Sequence, residues 1–167
     1  MSLLKRNREK GFTAPELLIV VMILVIAVAV STPFFLGTVQ SYRLRAMAWR
    51  IAGDLRLARQ KSVSWGKSYR MHFHDEDYGG TPNSYHTDRN EGGGTWTRDP
   101  NNRIYLQEPG SATHLRIDRT STPSGGYIYF SANGTVSTPG TVRLVDRRGK
   151  RYNVSINSVG RVSVFKP

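Results

Sequence analysis

Cysteine is absent from this 167-residue chain, so no disulfide can staple it and stability must come from packing alone. Acidic charge is scarce: 12 Asp and Glu stand against 24 Lys and Arg, a net charge of +12 at pH 7. The motifs of catalysis are missing too. There is no Gly-x-Ser-x-Gly, no phosphate-cradling loop, no EF-hand spacing and no locatable nucleophile–base pair, which excludes the commonest hydrolase, nucleotide and calcium architectures. Histidine is sparse, with four residues. His72 and His74 share one strand face, but Arg70 lies on it as well and no third ligand is placed by spacing, so a solvated face is the reading taken. His86 and His114 stand alone. These absences predict a protein that is not an enzyme and has neither cofactor nor metal.

What is present begins with a basic leader, Lys5, Arg6, Arg8 and Lys10, followed by Gly11-Phe12-Thr13-Ala14-Pro15-Glu16 and an apolar run over 17–30. Glu16 stands where membrane sequences avoid charge, because an ionised carboxylate costs about 2.5–3.5 kcal/mol near the centre of an inserted helix and somewhat less toward its end. It needs a partner or a job. The apolar run contains no Lys or Arg. Cutting between Gly11 and Phe12 would create an α-amino group four residues before Glu16, within one helical turn or on a neighbouring subunit. Two other readings use the same residues: a secretory signal peptide cut after Ala27-Val28-Ala29, releasing a basic β-rich protein, and a plain signal anchor with Glu16 accidental.

Residues 12–32 rise about 32 Å as a helix, enough to cross a ~30 Å hydrocarbon core. Pro15 falls in the first turn, where its missing N–H costs nothing, and Glu16 lies near the positive end of the helix dipole. Pro33 would remove a backbone hydrogen bond from a continuing helix and collide with the carbonyl of Ala29, so it marks either a kink or a helix boundary. Beyond it Phe35, Val39, Tyr42, Met47, Ile51, Leu55, Ala58 and Ser62 recur near a period of 3.6 and predict an amphipathic half packed on a globular body. Trp65-Gly66 ends the helix, with Arg59 and Lys61 favourable to its dipole. Over 12–64 it would be about 80 Å long.

The remainder reads as β. Tyr69, Met71 and Phe73 alternate with Arg70, His72 and His74, and the period of two returns over 142–144, 152–156 and 162–164, with shorter candidates at 104–106, 115–117 and 127–130. Turn signals separate them, and strands following one helix predict an α+β domain with an antiparallel sheet on the helix's apolar face. Residues 75–95 show no periodicity and hold Asp75, Glu76, Asp77, Asp88 and Glu91. They read as a long loop, either mobile or functional, in which a calcium site is conceivable. Arg147-Arg148-Gly149-Lys150-Arg151 falls at a hairpin tip and predicts a projecting cationic knob, with Arg143, Arg161 and Lys166 nearby in sequence. Such a patch can neutralise phosphates without reading bases, although solvated surface charge is the simpler account.

The leader resembles that of type IV pilin-like proteins, whose pattern is Gly-Phe-Thr-Leu-x-Glu before an apolar helix. Gly11, Phe12, Thr13 and Glu16 match, and Ala14 departs from the usual Leu. The helix end over 53–60, the Phe130-Ser131-Ala132-Asn133-Gly134-Thr135 segment and the closing Gly160-Arg161-Val162-Ser163-Val164 are similar to the GspH/FimT group of minor pilins and pseudopilins. The resemblance implies a pilin-like α+β fold: a leader peptide over 1–11, a transmembrane or filament-core helix over 12–32, and a periplasmic body over 33–167. It implies cleavage after Gly11 by a prepilin peptidase/N-methyltransferase, N-methylation of Phe12, subunit docking through Glu16 with Thr13, and a bend at Pro33. The chain would cross the inner membrane once and then join a filament with other pilin or pseudopilin subunits. Without Lys5, Arg6, Arg8, Lys10 and Glu9 it keeps 20 basic and 11 acidic residues, a net charge of +9.

Two tasks fit that plan. The one adopted is a structural subunit of a type II secretion pseudopilus or a type IV pilus. The other is DNA capture during natural transformation, of the FimT kind, in which a C-terminal Gly-Arg-x-Arg segment is tied to DNA. Here Gly160 and Arg161 match, but Ser163 replaces the second Arg. The residues that would contact DNA are Arg143, Arg147, Arg148, Lys150, Arg151, Arg161 and Lys166.

Overall fold

The computed structural model describes residues 12–74, 83–98, 104–106, 115–118 and 123–167. Gly11, Asp75, Glu76, Asp77 and His114, which the sequence singled out, lie outside the described residues, as does the side chain of Phe35. The chain divides into two compact units, Met1–Thr38 and Val39–Pro167.

One helix, α1 (Ala14–Trp65), begins in the first unit and ends in the second. Its start is capped: the Thr13 carbonyl accepts from Glu16 N and Leu17 N, each at 3.1 Å, and the Glu16 carboxylate reaches back to the Thr13 N–H at 3.5 Å. This is the Glu half of a Thr-x-x-Glu capping box, made at long range, while the Thr13 carbonyl begins the helical ladder. The helical span continues through Pro33, so that residue is not a helix boundary. At the other end Gly66 takes φ +61°, the left-handed conformation that closes a helix without a Cβ penalty. Arg59, expected to serve the helix dipole, instead donates from Nε to the Gly134 carbonyl at 3.0 Å.

In the first unit, Ala14–Ser31 is long and apolar enough to cross a membrane, and none of it is buried within the chain. In the second unit, α1 buries Leu44, Ala48, Ile51, Ala52, Leu55, Ala58 and Ser62, whose spacings of three and four place them on one face. The expected stripe is correct from Ile51 onward. Before that it holds only in part: Met47 packs against the core, but Tyr42 is 73% exposed while Leu44 and Ala48, which the stripe passed over, are fully buried.

The single expected sheet is in fact two antiparallel sheets. The first contains β1 (Tyr69–His74), β2 (Ser84–Gly92), β3 (Thr95–Arg98), β4 (Ile104–Tyr105) and β6 (Tyr127–Phe130), in the order β3-β2-β1-β6 with β4 beside β2. The second contains β5 (Arg116–Asp118), β7 (Gly140–Val145), β8 (Arg151–Ile156) and β9 (Val162–Phe165), in the order β5-β7-β8-β9. A Phe130–Val136 bridge and the Val136 N–H to the Ser158 carbonyl, 2.9 Å, link the two. Leu44, Ile51 and Leu55 of α1 share one buried cluster with Met71, Ile128 and Phe130 of the first sheet and Val142, Leu144, Val154 and Ile156 of the second. Each such side chain contributes about 1.5–3 kcal/mol by leaving water.

The segment over 75–95 is not a long loop in its described part, which holds β2, the turn after it and the first residue of β3. β2 is an interior strand, pairing His72↔His86 and Phe73↔Tyr85 with β1, and Asp88↔Arg98 with β3. Its ladder partners hold it extended although only one of its residues, Tyr85, is strongly apolar.

Candidate functional site

Three regions carry the residues that the sequence marked. The first is the exposed apolar segment, where Leu17, Leu18, Ile19, Met22, Ile23, Val25 and Ile26 are all more than half exposed. An isolated soluble chain does not present so large an apolar surface to water, so this face has an apolar counterpart. Glu16 sits at its beginning, in the first turn of α1, and Thr13 is its capping partner.

The second region is the face of the first sheet turned away from α1. Alternation along β1 sends Tyr69, Met71 and Phe73 into the core and Arg70, His72 and His74 to the opposite face. The register then sets His86 of β2 beside His72 and Asp88 beside Arg70. The His72 and His86 rings stack at 5.2 Å and those of His74 and His86 at 4.7 Å, with His74 Nε2 and His86 Nδ1 2.8 Å apart in a buried hydrogen bond. Asp88 gathers basic groups: Arg70 Nε at 3.1 Å, His86 Nε2 at 3.4 Å, Arg98 Nε at 3.6 Å and His72 Nε2 at 3.7 Å. Arg70 also lies 4.2 Å over the Trp96 ring. The solvated face read for His72 and His74 is therefore wrong: His74 and His86 are buried, and His86 does not stand alone.

Electrostatics follow from this crowding. Burial, then the Arg70 guanidinium, lowers the His72 pKa from 6.5 to about 4, with His86 and His74 assisting and Asp88 opposing. Burial pushes Asp88 upward, but the contacts with His86, Arg70 and His72 outweigh it and bring its pKa down to about 2. The network is thus an anion held among cations and a neutral ring. The N···N bond between His74 and His86 needs one unprotonated nitrogen, so the pair cannot be doubly charged while it persists. Among the described residues no group of three or more His, Asp or Glu is disposed to hold a metal ion. On the opposite face of β2, the Tyr85 hydroxyl donates to Asp54 Oδ2 of α1 at 2.6 Å. Burial and that carboxylate push the Tyr85 pKa far above its ordinary value.

The third region is the basic hairpin between β7 and β8. Asp146 Oδ1 accepts from the backbone N–H groups of Arg148 (2.9 Å) and Lys150 (2.8 Å), which fixes the turn. Arg147, Arg148, Lys150 and Arg151 are exposed. The turn is not a free projection, because Lys150 Nζ donates to Ser41 Oγ of α1 at 2.6 Å. The seven candidate DNA contacts do not form one patch. Arg143 is engaged by Asp118 at 3.2 Å and Asn153 at 3.3 Å. Arg161 lies in the turn after Ile156, the far end of β8 from Arg151, about 16 Å away at ~3.3 Å per residue. Lys166 follows Phe165, whose partner is Asn153, and so returns to the Arg151 end.

A family model described as Type II transport protein GspH matches residues 48–160. No curated protein matches. Among solved structures, the minor pseudopilin EpsH from the type 2 secretion system of Vibrio cholerae shares the fold at 14% identity, covering 75% of this chain and 98% of that one, with a TM-score of 0.56. The type IV minor pilin FimU of Pseudomonas aeruginosa is 17% identical over 75% of this chain and 90% of that one, with a TM-score of 0.54. Escherichia coli GspH is 12% identical over 75% and 89%, with a TM-score of 0.53.

Proposed function

The chain belongs to the family of the type II transport protein GspH, and from that membership we infer that it is a minor pseudopilin or minor pilin, a subunit assembled through its N-terminal helix. The observation that carries this reading is the wholly exposed apolar segment Ala14–Ser31 on a chain whose remainder has the family's fold. Such a segment is stable in a bilayer while the subunit waits, and among the like helices of a filament once it is incorporated. In this proposal the chain is inserted in the inner membrane with its body in the periplasm. A prepilin peptidase/N-methyltransferase cuts after Gly11 and methylates Phe12. Glu16 then exchanges its long bond to the Thr13 N–H for the charged amine of Phe12, on its own or a neighbouring subunit, a stronger partner for a carboxylate in an apolar setting. Pro33 marks a bend in α1.

The test is filament incorporation. Glu16→Ala should leave the protein in the membrane yet absent from sheared filaments, and incorporation at the wild-type level would overturn the docking role. Sequencing of the matured protein should begin at methylated Phe12. A start at Val30 would restore the secretory-signal reading.

A further inference from the structure

The basic hairpin is the strongest charged feature that assembly leaves without a task. Lys150 pins the turn to Ser41 of α1. Arg45, four residues after Ser41, lies on the same helix face and is exposed. Arg116 and Arg151 both pair with Val145 from opposite sides, so they flank one point of the second sheet at the hairpin end. With Arg147 and Arg148 they gather five guanidinium groups and one ammonium at one end of the body. Asp146, the carboxylate within the turn, is directed to backbone amides. None of Arg116, Arg147, Arg148 and Arg151 is in an ion pair with a carboxylate among the described residues.

The chain itself limits how far this cluster can be from the apolar segment. Ser41 follows Ser31, the last residue of that segment, by ten residues, about 15 Å of helical rise and no more than about 35 Å of chain however the two units are disposed. The polar headgroup zone occupies roughly 5–8 Å on each side of the hydrocarbon core, and an anionic surface acts over a Debye length of about 10 Å beyond it. We propose that the hairpin end, through Arg45, Arg116, Arg147, Arg148, Lys150 and Arg151, docks on the anionic phospholipid headgroups of the bilayer that holds the same chain's helix. Docking would hold the waiting subunit in a fixed orientation, and it must be released on entry into the filament. Nucleic acid is less well served by this set: Arg143 is engaged by Asp118, and Arg161 is at the far end of the strand.

The proposal rests on the membrane-inserted reading, and its test separates the two. The full chain is reconstituted into vesicles of phosphatidylcholine alone or of phosphatidylcholine and phosphatidylglycerol in equal parts. Hydrogen exchange is then followed at residues 145–152, with the turn over 157–160 as an internal control. Each basic side chain near an anionic surface strengthens attachment about fivefold. Exchange at the hairpin should therefore be at least about tenfold slower in the anionic vesicles, unchanged at the control turn, and restored to the neutral-vesicle rate in about 1 M salt, where the Debye length is ~3 Å. Arg147→Gln/Arg148→Gln/Arg151→Gln should abolish the slowing. The salt arm on the unaltered chain gives a result even if that variant misfolds. A chain embedded in both vesicles but exchanging equally in them overturns the docking proposal alone, and so does equal slowing at the control turn. Slowing on addition of duplex DNA with none from phosphatidylglycerol overturns it in favour of nucleic acid. A chain that an alkaline wash removes from both vesicles overturns the membrane reading and the docking proposal together.

Discussion

Acidification from about pH 7 to about pH 5 should loosen the body through His72. Folding holds that ring neutral by burying it beside Arg70, with a pKa of about 4 against 6.5 for a free histidine. Between those values the unfolded chain binds more protons than the folded one, so stability is lost as pH falls through the window. The full displacement is worth at most about 3 kcal/mol, of which about 2 kcal/mol is lost by pH 5. Asp88 contributes nothing in this range, since its depressed pKa makes it a stabiliser that fails only as pH drops from 3.8 toward about 2. For a domain of this size, about 2 kcal/mol corresponds to a fall of roughly 4–8 °C in thermal midpoint. The assay is thermal unfolding of the full chain in non-ionic detergent, followed by circular dichroism at both pH values, for wild type and for His72→Leu. The variant has no proton to gain at this position but keeps the other histidines, so wild type should lose the additional 4–8 °C. Parallel losses would refute the assignment of the acid sensitivity to His72.

Other expectations concern the seams of the fold. Tyr85→Phe removes the donor to the Asp54 carboxylate and should cost about 1.5–3 kcal/mol, read as a lower denaturant midpoint at unchanged slope; an unchanged midpoint would show the bond to be dispensable. Gly134→Ala should cost about 2 kcal/mol or more in the same assay, because the residue has φ +79° and an added Cβ would meet Val63 Cγ2 at 2.6 Å. Arg59→Gln should cost about 1–3 kcal/mol, since the part-buried Gly134 carbonyl loses a charged donor.

How much of this was legible depended on contrast between neighbouring residues. The apolar run, the later part of the amphipathic stripe and strands such as β7 and β9 announce themselves because apolar and polar positions differ sharply there. β2 does not: on its core side Tyr85 is followed by Thr87 and Arg89, and on the other by His86, Asp88 and Asn90, so neither face contrasts with its opposite. Missing that strand also hid the third histidine, which only the β1–β2 register brings beside the other two. The stripe slipped at Tyr42 because Ala48 and Ala52 fill the core with small residues that give little signal, while a large tyrosine points outward. The Thr13–Glu16 capping pair was visible as Thr-x-x-Glu and could have been read. The Lys150–Ser41 contact could not, since 109 residues separate its partners and no local pattern encodes it.

The burial of Leu44–Ala58 against both sheets also sets a schedule for synthesis. The helix leaves the ribosome first, yet the core that Leu55 shares with Val154 and Ile156 can be completed only after roughly 100 further residues have been made, which takes about 5–20 s at 5–20 residues per second. During that interval the strands of the first sheet, made earlier, can cover only part of the inner face of the helix, and the side that shares the core with β7 and β8 stays open until those strands have been made.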